Sequence, residues 1–127
     1  MEVFDKNGKE IELLTDESIE MIDINAASGY ELVYNYSYRL GNSIFFIFAI
    51  KKLNGFFENT DNQVASIDFD NIRMSVSFCG LSNDNWSVKA IGYFFANAYR
   101  YMIISDKVSN APRYNYAFVN SIALVME

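Results

Sequence analysis

Tyr30 to Leu53, YELVYNYSYRLGNSIFFIFAIKKL, is the stretch that decides the fold. Two runs rich in aromatic and β-branched residues meet at Gly41-Asn42, and Gly-Asn between such runs is a two-residue hairpin signal in which glycine supplies the positive φ of the turn. The turn sets a register. With Leu40 opposite Ser43, Tyr38 falls opposite Phe45, Tyr36 opposite Ile47 and Tyr34 opposite Ala49, an aromatic and aliphatic ladder on one face. On the other face Arg39, Ser37 and Asn35 fall opposite Ile44, Phe46 and Phe48. The strand Ile44 to Ile50 is therefore apolar on both faces, which in an antiparallel sheet calls for a cover over its outer side. A neighbouring subunit is the simplest cover, and the amino-terminal segment of the same chain is the rival.

Toward the amino terminus, Glu2 to Leu14 reads as a small hairpin turning at Asn7-Gly8. Thr15 to Ser18 is a polar corner that also resembles a helix N-cap, so Ile19 to Ile24 is a short strand or a capped helix. Ala26 to Gly29 is a joint. These signals divide the chain into residues 1–29, a hairpin and joint leading to a shaft or a neighbouring subunit, and residues 30–127, the main domain. Beyond the central hairpin, Val64 to Asp68 predicts an edge strand. Asn71 to Cys79 alternates most regularly, placing Ile72, Met74, Val76 and Phe78 on one face. Trp86 to Ile104 fits both periods. Its aromatic density, Gly92 and Asn97 favour two strands, Trp86 to Phe95 and Tyr99 to Ile104, over a helix across 88–104. The apolar run from Tyr114 to Met126 predicts a long last strand. About eight strands separated by turn signals give an all-β class, an antiparallel β-sandwich of jelly-roll-like form, with an up-and-down barrel as the alternative.

Composition narrows function by exclusion. The 127 residues are 51% hydrophobic and hold nine Tyr and eleven Phe, enough for one well-filled β domain. A net charge of −6 with ten scattered basic residues argues against nucleic acid, whose phosphates demand clustered Lys and Arg. The longest apolar run, Ile44 to Ile50, is far short of the roughly 20 residues of a spanning helix, and the start lacks the pattern of a signal peptide, so the chain is expected to be soluble and unexported, or one piece of something longer. Without histidine there is no Ser/His dyad, and neither a metal nor a cofactor is expected. The single cysteine, Cys79, is expected in the core as an inert thiol.

Tyr38-Arg39-Leu40-Gly41-Asn42 leads into the apolar strand Ser43 to Ile50. A turn-rich middle, Ala90-Ile91-Gly92-Tyr93 and a terminal strand Tyr116 to Met126 follow. This succession, covering roughly Gly29 to Glu127, resembles the carboxy-terminal domains of bacteriophage tail fibre, baseplate and other receptor-binding proteins. The resemblance implies a jelly-roll or related sandwich, a homotrimer, and non-enzymatic binding of a bacterial cell-surface saccharide or protein. It also implies a place in the tail of a virion or prophage-encoded particle, made in the host cytoplasm. Two other classes remain open: a purely structural virion or assembly module, and a small-molecule-binding β-barrel with aromatics lining its cavity.

Saccharides are held by an aromatic ring stacked on the apolar sugar face while amides and carboxylates bond the hydroxyls. Asn83, Asp84, Asn85 and Trp86 form the best local set for this, a polar loop running into the only tryptophan. The plainer reading puts Trp86 in the core, the commoner place for a lone Trp in a small domain. Arg113, Tyr114 and Tyr116 form a second set, against which stands simple strand entry with one Tyr buried. The acidic pairs Asp68/Asp70 and Asp16/Glu17 lack the dense oxygen-ligand spacing of a calcium loop and read as solvated turn residues, so no catalytic residue is assigned. Tyr34, Tyr36 and Tyr38 alternate onto one sheet face and read as structural.

Overall fold

The computed structural model describes residues 3–4, 10–11, 19–58, 60–68, 71–84, 87–96, 101–106 and 114–126. The Asn7-Gly8 turn, the Thr15 to Ser18 corner, Asp70, Asn97 and Pro112 lie outside these. Strands β1 (Val3–Phe4) and β2 (Glu10–Ile11) pair antiparallel as a small sheet of their own. The other eleven form one antiparallel sheet: β3 (Ile19–Met21), β4 (Asn25–Ala26), β5 (Tyr30–Asn35), β6 (Tyr38–Leu40), β7 (Ser43–Lys52), β8 (Asn62–Ser66), β9 (Ile72–Arg73), β10 (Ser77–Ser82), β11 (Ala90–Ala96), β12 (Tyr101–Ser105) and β13 (Tyr116–Val125).

The strand order is β3-β6-β7-β13-β10-β11-β12-β8-β4, with β5 also paired to β7 and β9 also paired to β13. β5 and β6 lie along the same edge of β7, and β9 and β10 along the same edge of β13, each couple a strand broken in two. The sheet holds eleven strand segments among the described residues, more than the eight or so expected from the sequence, because expected single runs such as Asn71 to Cys79 are broken in two. The two ends of the sheet, β3 and β4, are consecutive pieces of residues 19–26, which belong to the sheet rather than to a separate amino-terminal unit. β3 pairs with β6 on one side, and the Ile22 amide extends that pairing by donating to the Ser37 carbonyl at 3.1 Å. β4 pairs with β8 on the other side, and Ala27 donates to the Val64 carbonyl at 2.8 Å. The sheet thus curls back on itself as a sandwich-like, all-β fold.

The central hairpin has the register read from its turn. Gly41 takes φ 60°, and Leu40 faces Ser43, Tyr38 faces Phe45 and Tyr34 faces Ala49. The mixed face turns inward. Ile44, Phe46, Phe48 and Ile50 are fully buried, and Ser37 among them is satisfied because its Oγ accepts the Ile47 amide at 2.9 Å. Phe94 of β11 reaches across the interior to meet Phe46 and Phe48 edge to face, at 5.6 and 5.7 Å between ring centroids. These rings fill the interior and join its two walls. Edge-to-face pairs of this kind add roughly 0.5–1.5 kcal/mol each beyond the area they bury.

Asn71 to Cys79 departs from the expected single strand. The ladder lapses over Met74 to Val76, between β9 and β10, and the register against β13 slips there by one residue. Leu124 faces Arg73, whereas Phe118 faces Gly80. A one-residue slip exchanges the faces. Ile72 is buried and Met74 packs against the core, its sulfur accepting the Ala96 amide at 3.1 Å, while Val76 and Phe78 point out to solvent. Asn71, at φ 59°, stands at the start of this broken path. Ambiguous residues 88–104 hold two strands, β11 and β12, as their aromatic content favours.

Gly92, opposite Cys79, is where β11 passes closest to its neighbours. A Cβ there would stand 2.7 Å from the Ser105 carbonyl oxygen and 2.9 Å from the Leu81 side chain. Gly92→Ala should therefore cost about 1–3 kcal/mol by overpacking, read as a lower urea midpoint. An unchanged midpoint would show that β12 yields there without cost.

Candidate functional site

The two candidate loops lie far apart in sequence, and β10 and β13 bring them side by side. Ser82 faces Tyr116 in the ladder, the Asn115 amide donates to the Ser82 carbonyl at 3.0 Å, and the Lys52 amide donates to the Asn115 carbonyl at 2.8 Å. Asn83, Asp84, Tyr114 and Tyr116 are thereby gathered at one end of the sheet. Asn85, Trp86 and Arg113 lie outside the described residues.

Asp84 organises its loop from within. Its Oδ1 accepts the Ser82 hydroxyl at 3.3 Å and the Ser87 amide at 3.2 Å, while its amide donates back to Ser82 Oγ at 3.2 Å. Its Oδ2 pairs with Lys89 Nζ at 3.2 Å. The spacing Ser-x-Asp-x-x-Ser is that of a side chain closing a turn on its own backbone. Asp84 consequently shapes the loop, while exposed Asn83 and half-buried Tyr114 and Tyr116 form its outer surface.

Sequence reading missed Lys51, Glu31 and Lys89. Lys51 lies between Tyr116 and Glu31 across β13, β7 and β5, with its ammonium 5.3 Å from the Tyr116 ring centroid. The turn register alone pairs Glu31 with Lys52. A bulge between Leu32 and Tyr34 shifts the pairing by one and moves Glu31 onto Lys51. Next to this row, Tyr30 stacks on Phe57 at 6.1 Å and lies under Lys52 Nζ, 6.0 Å from the ring centroid. Burial, and then the Glu58 carboxylate, push the Tyr30 phenol above its ordinary value, so it is a neutral hydrogen-bonding group at physiological pH. The end of the sheet thus offers tyrosine rings, an amide and charges of both signs.

Elsewhere, an open groove of about 460 Å³ runs beside the break in the β9/β10 path, lined by Arg73, Met74, Ser75, Ile122, Ala123 and Leu124. Among the described residues, no three His, Cys, Asp or Glu side chains gather to hold a metal ion. Asp106 is fully buried, and neither carboxylate oxygen has a hydrogen-bond partner among the described residues. Cys79 is buried too. Its thiol is pushed up to about 12, chiefly by burial and further by the Asp106 charge, with backbone hydrogen bonding at Gly92 opposing.

Comparison with protein-family models, with curated proteins and with solved structures finds no match to this chain in any of the three.

Two predictions follow from these local contacts. Asp84→Ala should leave global stability within about 1 kcal/mol, because the Lys89 pair is largely solvated, yet should speed hydrogen exchange at the Ser87 amide. Equal exchange in the two proteins would deny Asp84 its organising role. The raised thiol of Cys79 favours the folded state while the proton stays on. This contribution is complete below about 9, the ordinary thiol value, and is lost as pH rises toward about 12. The urea midpoint should therefore fall across that window, and Cys79→Ala should flatten the fall. Identical alkaline profiles for the two proteins would contradict the shift.

Proposed function

We propose that this chain is a non-enzymatic saccharide-recognition domain, the receptor-binding part of a bacteriophage or prophage tail structure, as its resemblance implies. One observation carries the reading: two loops separated by some thirty residues of sequence converge at one end of the sheet. There they combine tyrosine rings with an amide and an internally braced carboxylate. Apolar sugar faces stack on such rings, and hydroxyls bond the amide and charged groups around them. The rigid sheet holds these groups, so little ordering cost is left to binding. The ligand is a glycan of a bacterial surface. A second reading, a purely structural virion or assembly module, draws on the apolar outer face of the sheet.

A bacterial cell-wall glycan array, followed by titration calorimetry on any hit, tests the proposal. Tyr116→Ala should weaken binding about tenfold or more, matching the loss of one stacking ring. Tyr36→Ala, whose ring is exposed on the outer face, should bind like the parent. An array without hits, or equal affinity for parent and Tyr116→Ala, would reject the site and leave the structural reading in its place.

A further inference from the structure

We infer that the groove beside the break between β9 and β10 is a binding site for a small aliphatic anion. Arg73, Met74, Ser75, Ile122, Ala123 and Leu124 line it around an open volume of about 460 Å³, a size common among small-molecule sites. The break makes the groove. On this side of β13, strand pairing stops at Phe118, opposite Gly80, and resumes at Leu124, opposite Arg73. The Val125 amide donates to the Asn42 carbonyl, on the β7 side, and the Met126 amide to the Asn71 carbonyl, on the β9 side. Antiparallel bonding alternates along a strand, so the amide and carbonyl of Ile122 also point to the β9 side, where no strand among the described residues pairs with them. Bulged breaks of this kind recur where a sheet ends its pairing beside a site.

Charge and lining select the ligand. Of the basic side chains among the described residues, Arg39 Nε donates to the Gly41 carbonyl, Lys51 lies over the Tyr116 ring, Lys52 Nζ donates to the Phe56 carbonyl, and Lys89 pairs with Asp84. Exposed Arg73 has no such partner among the described residues, and neither does the exposed Ser75 hydroxyl two residues on. On a chain of net charge −6, an unpaired guanidinium in a groove draws an anion. Its planar fork matches two oxygens of a carboxylate or a phosphate. The other wall is aliphatic: Ile122 is 61% exposed and Leu124 47%, and Met74 packs against the core. No aromatic ring or side-chain amide lines the groove, so it lacks what a sugar face requires. An anionic head on Arg73 and Ser75, with a short alkyl body against Ile122 and Leu124, satisfies both walls. Along β13 the groove lies roughly 20 Å from Tyr116 at the rise of a strand, so this site and the loop end are separate.

Titration of the isotope-labelled full chain with hexanoate, hexyl phosphate and hexanol, followed through backbone amide shifts, tests this. At least one of the two anions should shift the amides of Arg73 to Ser75 and Ile122 to Leu124 saturably while the Tyr116 amide stays in place, and the tighter anion identifies the head group. Hexanol, the same chain without the charge, should bind the parent about tenfold more weakly or less. Arg73→Gln should weaken the bound anion about tenfold and leave hexanol unchanged, whereas Ile122→Ser should weaken both severalfold. Both positions are exposed, and amide shifts elsewhere in each variant check that the sheet persists. No saturable shift at the groove with either anion, equal anion affinity for parent and Arg73→Gln, or hexanol bound as tightly as the anions would each overturn the inference.

Discussion

Everything in this fold depends on β7 being hydrogen-bonded along both edges. β5 and β6 lie along one side and β13 along the other, so ten successive residues from Ser43 to Lys52 are fixed between two partners. Being central, β7 directs Ile44, Phe46, Phe48 and Ile50 into the interior with no freedom to slip, since a one-residue shift would turn all four to solvent. Phe46 and Phe48 then set where Phe94 must stand, and Phe94 sets the distance between the walls. The long β13 is held to nearly the full length of β7. It carries Tyr116 to the candidate site at one end and Ile122 and Leu124 to the outer face at the other.

The register of the hairpin was legible because it is local: one glycine at positive φ and a period of two determine each pairing from Leu40 back to Tyr34. What was not legible is where strands break. The bulge between Leu32 and Tyr34 and the lapse at Met74 to Val76 involve residues of ordinary strand propensity, and nothing in their chemistry distinguishes them from neighbours that stay in register. A bulge is imposed by the partner strand and the curvature of the sheet, which are long-range facts. Its consequence is large at Phe78, which alternation assigns to a face shared with Ile72 and which the slip delivers to solvent. The two candidate loops were identifiable singly by composition. Their meeting was not, because it depends on β13 returning between β7 and β10.

Buried polar groups in this interior divide into two kinds. Ser37, Ser77 and Ser121 occupy places where the sheet needs a short hydrogen-bonding side chain: Ser37 Oγ takes the Ile47 amide, and Ser77 and Ser121 share a 2.7 Å hydrogen bond across β10 and β13. These satisfy their neighbours and lock the strands locally. Asp106 is different. Its backbone amide is used, donating to Glu58 at 2.8 Å, while its carboxylate lies buried without a partner among the described residues. Burial and the nearby Asp106 charge together keep the proton on the Cys79 thiol, which makes it a poor nucleophile.

A β-sheet has two ways to bind its own kind, by an open edge or by an apolar face. The end strands of the path are only three and two residues long, and both come from residues 19–26, which leaves little edge there to extend. Strand addition would have to displace that segment, including the bond from Asn35 Nδ2 to the Ile22 carbonyl that pins it at 2.7 Å. The face has no such protection. Tyr116 stands at one end of it and Ile122 and Leu124 at the other, because alternate residues of β13 turn to the same side. What β13 presents to solvent therefore grades along one side of a single strand, from a half-buried tyrosine beside charges at the Tyr116 end to exposed aliphatic side chains at Ile122 and Leu124.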